Sequence, residues 1–167
     1  ALPKNTGRRA VYFSSCIHRC LGPAFPQDRP IDEILSDLCG QNGIEVILPE
    51  KPDSLCCGLA FASKGFPEIA ARKAAELRAG LEKVSGPSLP VVCDNSPCAH
   101  HLKQAGVPVL DVIEFAKAYL VPENGQRPGA RAVEIFPVCS VHHQGLSGDL
   151  ERVAKAHAED VHRPLSA

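Results

Sequence analysis

The sequence has no Met or Trp, only two Tyr, and no apolar run approaching the roughly 20 residues that a bilayer-spanning helix needs. We therefore predict that no segment spans a membrane. Residues 1–9 are polar and lack the apolar core of a signal peptide, so we expect a flexible N-terminal flank there. Because the chain starts at Ala1 without a Met, we expect it to be part of a longer polypeptide.

Neither sign of charge dominates, since 18 Lys and Arg residues are balanced by 19 Asp and Glu residues. A nucleic-acid binder normally presents a basic face, and the net charge of −1 predicts none. The same balance gives no polybasic signal for membrane binding. The sequence also lacks a glycine-rich dinucleotide fingerprint and a P-loop, so we expect no nucleotide site of those kinds.

What the chain does have is cysteine, with eight residues in 167. Cysteine-dense proteins are usually small secreted disulfide scaffolds or metal proteins. This chain is long, shows no secretion signal and carries the patterns of an α/β protein, which needs no disulfide staples. We therefore favour thiolates used for metal or redox chemistry and predict a cytoplasmic location, with peripheral attachment at the inner membrane as the alternative.

Strand-like and helix-like segments alternate, which predicts an α/β fold with a parallel sheet flanked by helices. The predicted strands are 10–13, 44–48, 90–92, 107–110 and 132–136. The predicted helices are 31–38, 67–84, one starting at Ser96 as cap with Pro97 in its first turn, 111–120 and 150–161. The helix from residue 67 has the clearest apolar stripe, formed by Ala70, Ala74, Leu77, Leu81 and Val84.

A cysteine-containing module is predicted to repeat along the chain. The segment VYFSSC at 11–16 resembles VEIFPVCS at 133–140, and each is an apolar strand that ends near a cysteine. We predict a first module over 10–121, a linker over 122–131 and the N-terminal part of a second module over 132–167. If the repeat is real, another Cys-Cys-Gly lies beyond Ala167.

The candidate site is a group of cysteines far apart in sequence. Cys16, Cys56, Cys57 and Cys98 all follow predicted strands, and the carboxyl edge of a parallel sheet is where ligands gather. The adjacent pair needs a sharp turn to serve one centre, which Gly58 permits. Neighbouring ligands suit a multi-iron cluster better than a single tetrahedral zinc, so we favour a cluster.

Two other functions remain open from the residues alone. Zinc is the runner-up, because Cys139-x-x-His142 and Cys98 beside His100 have ligand-like spacing. A thiol–disulfide exchange role for Cys56-Cys57 is the third. Elsewhere we predict ordinary roles: Cys39 packs on a helix and His18 is a solvated loop residue. Ser14, Ser15 and Asp94 form no recognisable nucleophile–base set.

Several motifs together resemble the Cys-Cys-Gly domain that is found in heterodisulfide reductase and in the iron–sulfur component of glycolate oxidase. The likeness is greatest to the C-terminal region of FAD-linked D-lactate dehydrogenases and runs from about Val11 to the end. The motifs are Phe13-x-x-Cys16, Cys56-Cys57-Gly58, Phe61-x-Ser63-Lys64-Gly65-Phe66, Asp94-x-Ser96-Pro97-Cys98 and Pro137-x-Cys139-Ser140. The family often has a Cys-x-x-Cys pair where this chain has Asn95-x-x-Cys98, and Cys93 is the candidate substitute.

The resemblance implies an electron relay with a 4Fe-4S type cluster, fed by FAD on another domain or subunit that oxidises a 2-hydroxy acid such as D-lactate or glycolate. The relay would pass electrons to an acceptor and would not be catalytic alone. The implied ligands of the first site are Cys16, Cys56, Cys57 and Cys98, and Cys139 would open a second site. The resemblance further implies that Gly58 and Pro97 contribute to cofactor binding. Cys20, Cys93 and His142 are additional candidate metal ligands.

Overall fold

A computed structural model of the protein describes residues 8–23, 25–86, 88–121 and 129–163. The chain forms two compact units that divide between Val112 and Ile113. The first contains a four-stranded sheet and the second a two-stranded sheet. This organisation confirms the predicted α/β class with a parallel sheet and flanking helices.

The first unit is built from strands that alternate with helices. Its strands are β1 (Arg8–Phe13), β2 (Ile44–Ile47), β3 (Val91–Cys93) and β4 (Leu110–Asp111). Its helices are α1 (Cys16–Leu21), α2 (Ile31–Gln41), α3 (Leu59–Ala62), α4 (Pro67–Ser85) and α5 (Ser96–Gln104). A 3₁₀ turn, Pro52–Ser54, precedes the cysteine pair. Helix α6 (Val112–Phe115) begins at the boundary between the units.

The strand order of this sheet is β2-β1-β3-β4, and every neighbouring pair is parallel. Strand β1 is central, with Phe13 in register with Cys93 of β3. Because the strands are parallel, the segments that leave β1 and β3 emerge side by side at the carboxyl edge of the sheet. These two segments carry Cys16 and Cys98.

The core of the first unit lies between the sheet and the helices α4 and α5. The buried stripe of α4 matches the prediction at Ala70, Ala74, Leu77 and Leu81, while Val84 is partly buried against the same cluster. Three cysteines belong to this core, namely Cys57, Cys93 and Cys98. The candidate site is therefore set into the hydrophobic interior and has apolar walls.

The fourth strand and the cap of α5 differ from the predictions. The fourth strand is only Leu110–Asp111, whereas 107–110 was predicted. Pro108 explains the difference, because proline has no N–H to donate to a ladder. The cap of α5 is Asn95 and not Ser96, since the Asn95 side chain accepts a hydrogen bond from the Cys98 N–H at 3.3 Å.

The second unit continues α6 with a π-helical segment and then forms a small sheet. Its elements are the π segment Ala116–Leu120, β5 (Ala130–Glu134), α7 (Cys139–His143), α8 (Ser147–His157) and β6 (Ala158–His162). Strands β5 and β6 pair in parallel. The predicted helix 150–161 was wrong at its end, because residues from Ala158 onward pair with β5. Most of the predicted linker 122–131 lies outside the described residues, and β5 already includes Ala130 and Arg131.

Both units contain two parallel strands joined by two helices, β1-α1-α2-β2 in the first and β5-α7-α8-β6 in the second. The repeat and its module boundaries remain predictions. Of the flexible flank predicted over 1–9, residues 1–7 lie outside the described residues, and Arg8 and Arg9 belong to β1. Within the described part of the chain, no helix is both long and apolar enough to cross a bilayer.

Candidate metal centre

Cys57 and Cys98 form a pair of thiols in direct contact. Their Sγ atoms are 3.0 Å apart, and both side chains are buried. The hydrogen bond to Cys98 raises the pKa of Cys57 far above its usual range, and burial raises that pKa further. For Cys98, the bond from Cys57 lowers the pKa, but the bond to Cys93 and burial outweigh it and the net direction is upward. In the metal-free state both groups are therefore neutral thiols at pH 7.

Cys16 and Cys56 form a second pair on the outer side of the group. They share a side-chain hydrogen bond, and each is partly exposed. Burial raises the pKa of Cys16, the neighbouring sulfurs of Cys56 and Cys57 raise it further, and the charge of Arg19 lowers it. Because Cys57 is close enough to influence Cys16, the two pairs belong to one group of thiols.

Cys93 is the fifth member of this group. It is fully buried at the end of β3, shares a side-chain hydrogen bond with Cys98 and contacts the Asn95 carbonyl oxygen at 3.6 Å. The sequence pointed to the same residue as a candidate substitute for a missing family cysteine. The structure thus brings Cys93 together with the cysteines in the first turns of α1 and α5 and with the pair that precedes α3; we call these five side chains the thiol group. Its members are Cys16, Cys56, Cys57, Cys93 and Cys98.

Gly58 makes the turn that lets two adjacent cysteines point into the thiol group. Its φ of +90° lies in the left-handed region, and a Cβ built there would be 2.5 Å from the Ala70 carbonyl oxygen. Its N–H donates to Cys56 Sγ at 3.4 Å. Pro97 occupies the first turn of α5 and is exposed. Both residues therefore act on the site through the backbone.

Arg19 connects the thiol group's two outer segments. Its guanidinium lies on α1, three residues after Cys16, and donates to the carbonyl oxygens of Pro52 and, at 2.7 Å, Leu55. Those carbonyls belong to the segment that leads into Cys56. Arg19 therefore holds the segment before the cysteine pair against α1, a role that its position in a short cysteine-rich helix did not reveal.

Replacing Arg19 with Met should loosen the segment 52–57 while leaving the sheet intact. Hydrogen bonds from a charged donor contribute about 1.5–3 kcal/mol each, so we expect a loss of about 1–3 kcal/mol for this partly buried side chain. Hydrogen exchange would show faster exchange of the amides in 52–57. Arg78→Met is the control, because exposed Arg78 pairs with Glu82, one turn away on the same helix α4. Equal protection of 52–57 in both variants would contradict the role of Arg19.

A buried carboxylate, Asp94, was also missed by the sequence reasoning. It follows β3 directly, and its side chain is fully buried. Tyr12 Oη donates to Asp94 Oδ2 at 2.6 Å, and the Ser15 N–H donates to Oδ1 at 2.9 Å. His18 Nδ1 lies 2.9 Å from Oδ2, so the prediction that His18 is a solvated loop residue was wrong. The signal that could have revealed Asp94 was an acidic residue directly after a buried strand.

The remaining candidate residues lie elsewhere in their units. Cys20 is exposed on α1. In the second unit, Cys139 begins α7 and is exposed, and His142 Nδ1 is 2.9 Å from Ser147 Oγ. Cys39 is fully buried on α2, where burial alone raises its pKa to about 11. Its environment is that of a packing residue, as the sequence indicated.

These environments predict an order of thiol reactivity in metal-free protein. Iodoacetamide should modify the exposed Cys20 and Cys139 first, because the thiolate is the reactive form and access controls the rate. Cys39 should react slowly, as should the buried thiols Cys57 and Cys98, since it is fully buried and its pKa of about 11 leaves about 0.1% thiolate near pH 8. Peptide mass spectrometry over a time course gives the order. Early modification of Cys39 would show that α2 is not packed as described.

The chemistry of the thiol group fits a soft metal centre. All eight cysteines lie in the described residues and are free thiols, and the five of the thiol group approach one another at one sheet edge. Thiolates are the preferred ligands of iron–sulfur clusters and of zinc. Among the described residues, no three His, Cys, Asp or Glu side chains are arranged to hold a single metal ion. Loading any centre thus requires deprotonation and some rearrangement of the hydrogen-bonded thiols.

Comparison with known proteins identifies a family. The family profile described as CCG: Cysteine-rich domain matches residues 10–103, which include every member of the thiol group. Searches of curated proteins and of solved structures gave no match.

Proposed function

Because the chain belongs to the CCG cysteine-rich domain family, whose members are typical of iron–sulfur and electron-transfer proteins, we propose that the thiol group holds an iron–sulfur cluster that relays electrons. The observation that carries the proposal is the convergence of five cysteines from three separate segments, with Cys57 and Cys98 in direct contact. Cys16, Cys56, Cys57 and Cys98 are the proposed ligands. Cys93 is the proposed additional one, and Cys139 would serve a separate second site.

The surroundings of the thiol group support this role. A cluster of the 4Fe-4S type would supply one-electron chemistry, with a potential set by hydrogen bonds to sulfur and by burial. The Gly58 N–H already donates to Cys56 Sγ, and Cys57, Cys93 and Cys98 lie in the apolar core. The protein itself would exclude water from the buried side of the thiol group, where these three cysteines lie, and would orient the sulfur atoms.

The partial exposure of two thiols indicates the side of the thiol group on which electron partners would dock. Cys16 and Cys56 are partly exposed, whereas the other three thiols are buried. A cavity of about 600 Å³, lined in part by Ser14, His18 and Arg19, opens beside the turn that carries Cys16. Electrons would enter or leave through this outer side, because transfer is faster to a donor or acceptor that can approach closely.

The wider context that we propose is a flavin-linked 2-hydroxy-acid oxidoreductase of the D-lactate or glycolate type. The FAD would lie on another domain or subunit, and the relay would be cytoplasmic or peripheral at the inner membrane. In the full-length protein under anaerobic conditions, D-lactate or glycolate should bleach the visible absorbance of both flavin and cluster. Flavin bleaching without any cluster change would contradict the relay.

Zinc bound as a structural ion is the second candidate, since the same thiolates suit it. Metal analysis of protein expressed and purified without oxygen distinguishes the two. We expect iron together with acid-labile sulfide. About one zinc per chain, with no iron under these conditions, would support the zinc alternative and contradict the cluster.

A further inference from the structure

Two of the segments that carry the thiol group are joined by a buried carboxylate. Asp94 belongs to the turn that leads from Cys93 to Cys98, yet its Oδ1 accepts from the backbone N–H of Ser15, 79 residues earlier and directly before Cys16. The two turns therefore have a side-chain bond between them at the point where they carry cysteines.

Both carboxylate oxygens are engaged as acceptors. Oδ2 accepts from Tyr12 Oη at 2.6 Å, and His18 Nδ1 lies 2.9 Å from the same oxygen. Tyr12, Ser15 and the Asp94 side chain are all buried. Burying a carboxylate is costly unless it is hydrogen-bonded, and an acceptor-only group with two donors is the ionised form. The fold thus places a negative charge next to the cysteines.

The partners of Asp94 among the described residues all belong to one segment of the chain, residues 12–18. Within the described residues it has no Arg or Lys partner, and its oxygens are contacted by Tyr12, Ser15 and His18. All three belong to β1 or to the segment that carries Cys16. A carboxylate whose partners all lie on the other cysteine-bearing segment is suited to fixing one segment against the other.

We propose that Asp94 is the positioning residue of the centre: its carboxylate sets the Cys16 turn against the turn that carries Cys93 and Cys98, and its charge makes the bound cluster harder to reduce. The inference rests on the proposed function only for its second part. The first part concerns the metal-free protein. Outer partners of metal ligands typically change metal affinity by about 10- to 100-fold.

Two substitutions at Asp94 separate geometry from charge. Asp94→Asn keeps an oxygen for the Ser15 N–H and removes the charge, and Tyr12 Oη can accept from the new amide. Asp94→Ala removes both. Tyr12→Phe removes one donor and leaves the bond to Ser15. Leu77→Ala is the stability control, because it opens a cavity in the core at a residue of α4, which lies outside both turns in sequence.

The first readout is the alkylation rate of Cys16 relative to exposed Cys20 in metal-free, folded protein. We expect a rise of about ten-fold or more in Asp94→Ala and near wild-type ratios in Asp94→Asn, Tyr12→Phe and Leu77→Ala. A ten-fold rise corresponds to about 1.4 kcal/mol, which is of the order of a lost hydrogen bond to a charged group. A wild-type ratio in Asp94→Ala overturns the positioning role. So does an equal rise in Leu77→Ala, which would mark a general loss of stability.

The second readout is the iron content and midpoint potential of anaerobically reconstituted protein. Asp94→Ala should bind iron about 10- to 100-fold more weakly, and Asp94→Asn should keep full iron with a more positive potential. An unchanged potential in Asp94→Asn overturns the charge effect. If wild-type protein takes up no cluster, the proposed function fails, whereas the Cys16 labelling ratio still decides the positioning role.

Discussion

Cys57→Ser and Cys98→Ser should each lower the iron retained after anaerobic reconstitution by at least about ten-fold, the lower end of the effect of losing even an outer partner of a ligand. A serine hydroxyl is a harder and weaker donor for iron than a thiolate. These two side chains are buried and in contact, so solvent cannot easily replace a missing sulfur. Colorimetric iron and sulfide analysis of the purified protein measures the loss.

Two cysteines outside the thiol group serve as controls for this result. Cys20→Ser removes an exposed thiol from α1, only four residues after Cys16. Cys39→Ala removes a fully buried one from α2 and therefore reports on the cost of disturbing the core. Both should retain wild-type iron. If Cys39→Ala lost as much iron as Cys98→Ser, the iron loss would reflect damage to the fold, and it would not support the ligand assignment.

Gly58→Ala should be among the most damaging single substitutions in the first unit. The φ of +90° strains any L side chain, and the new Cβ would lie 2.5 Å from the Ala70 carbonyl oxygen and 3.0 Å from its Cα. Both are backbone atoms of α4 and cannot move aside alone. We expect a loss of about 4 kcal/mol or more in the free energy of unfolding, because losses of this size occur when backbone strain and a steric clash act at one position. Denaturant titration followed by circular dichroism measures it.

Substitutions at two other glycines separate the cost of backbone strain from the cost of the steric clash. Gly65 has a φ of +83° but nothing within 4 Å of a built Cβ, so Gly65→Ala should cost about 1–2 kcal/mol from backbone strain alone. Gly40 lies inside α2 with open space around it, so Gly40→Ala should stabilise the protein by about 0.5–1 kcal/mol. If Gly58→Ala were no worse than Gly65→Ala, the close approach of α4 to the cysteine turn would be wrong.

Much of the first unit could be predicted because its signals are local. The stripe of α4 recurs at helical spacing, and four of its five predicted members are buried. The parallel sheet followed from strands that alternate with helices. The errors also have local causes. Pro108 prevents the strand from beginning at 107, and the Asn95 side chain takes the capping role assigned to Ser96. At the C-terminal end, pairing with β5 prevails over helical spacing from Ala158 onward.

The candidate site could be predicted only in part. Strand ends indicated that Cys16, Cys56, Cys57 and Cys98 would meet, because parallel strands share an edge. The roles of Asp94 and Arg19 depend on partners 79 and more than 30 residues away, and no sequence spacing encodes such contacts. Buried polar groups of this kind are specified by tertiary structure.

The central claim is that the thiol group holds several irons bridged by sulfide. X-ray absorption at the iron edge of the anaerobically reconstituted protein tests it most directly. We predict an iron environment of sulfur only, together with an iron–iron scattering shell that disappears in Cys57→Ser and Cys98→Ser. Iron bound to oxygen or nitrogen without an iron–iron shell, in wild-type protein that is folded and reduced, would contradict it.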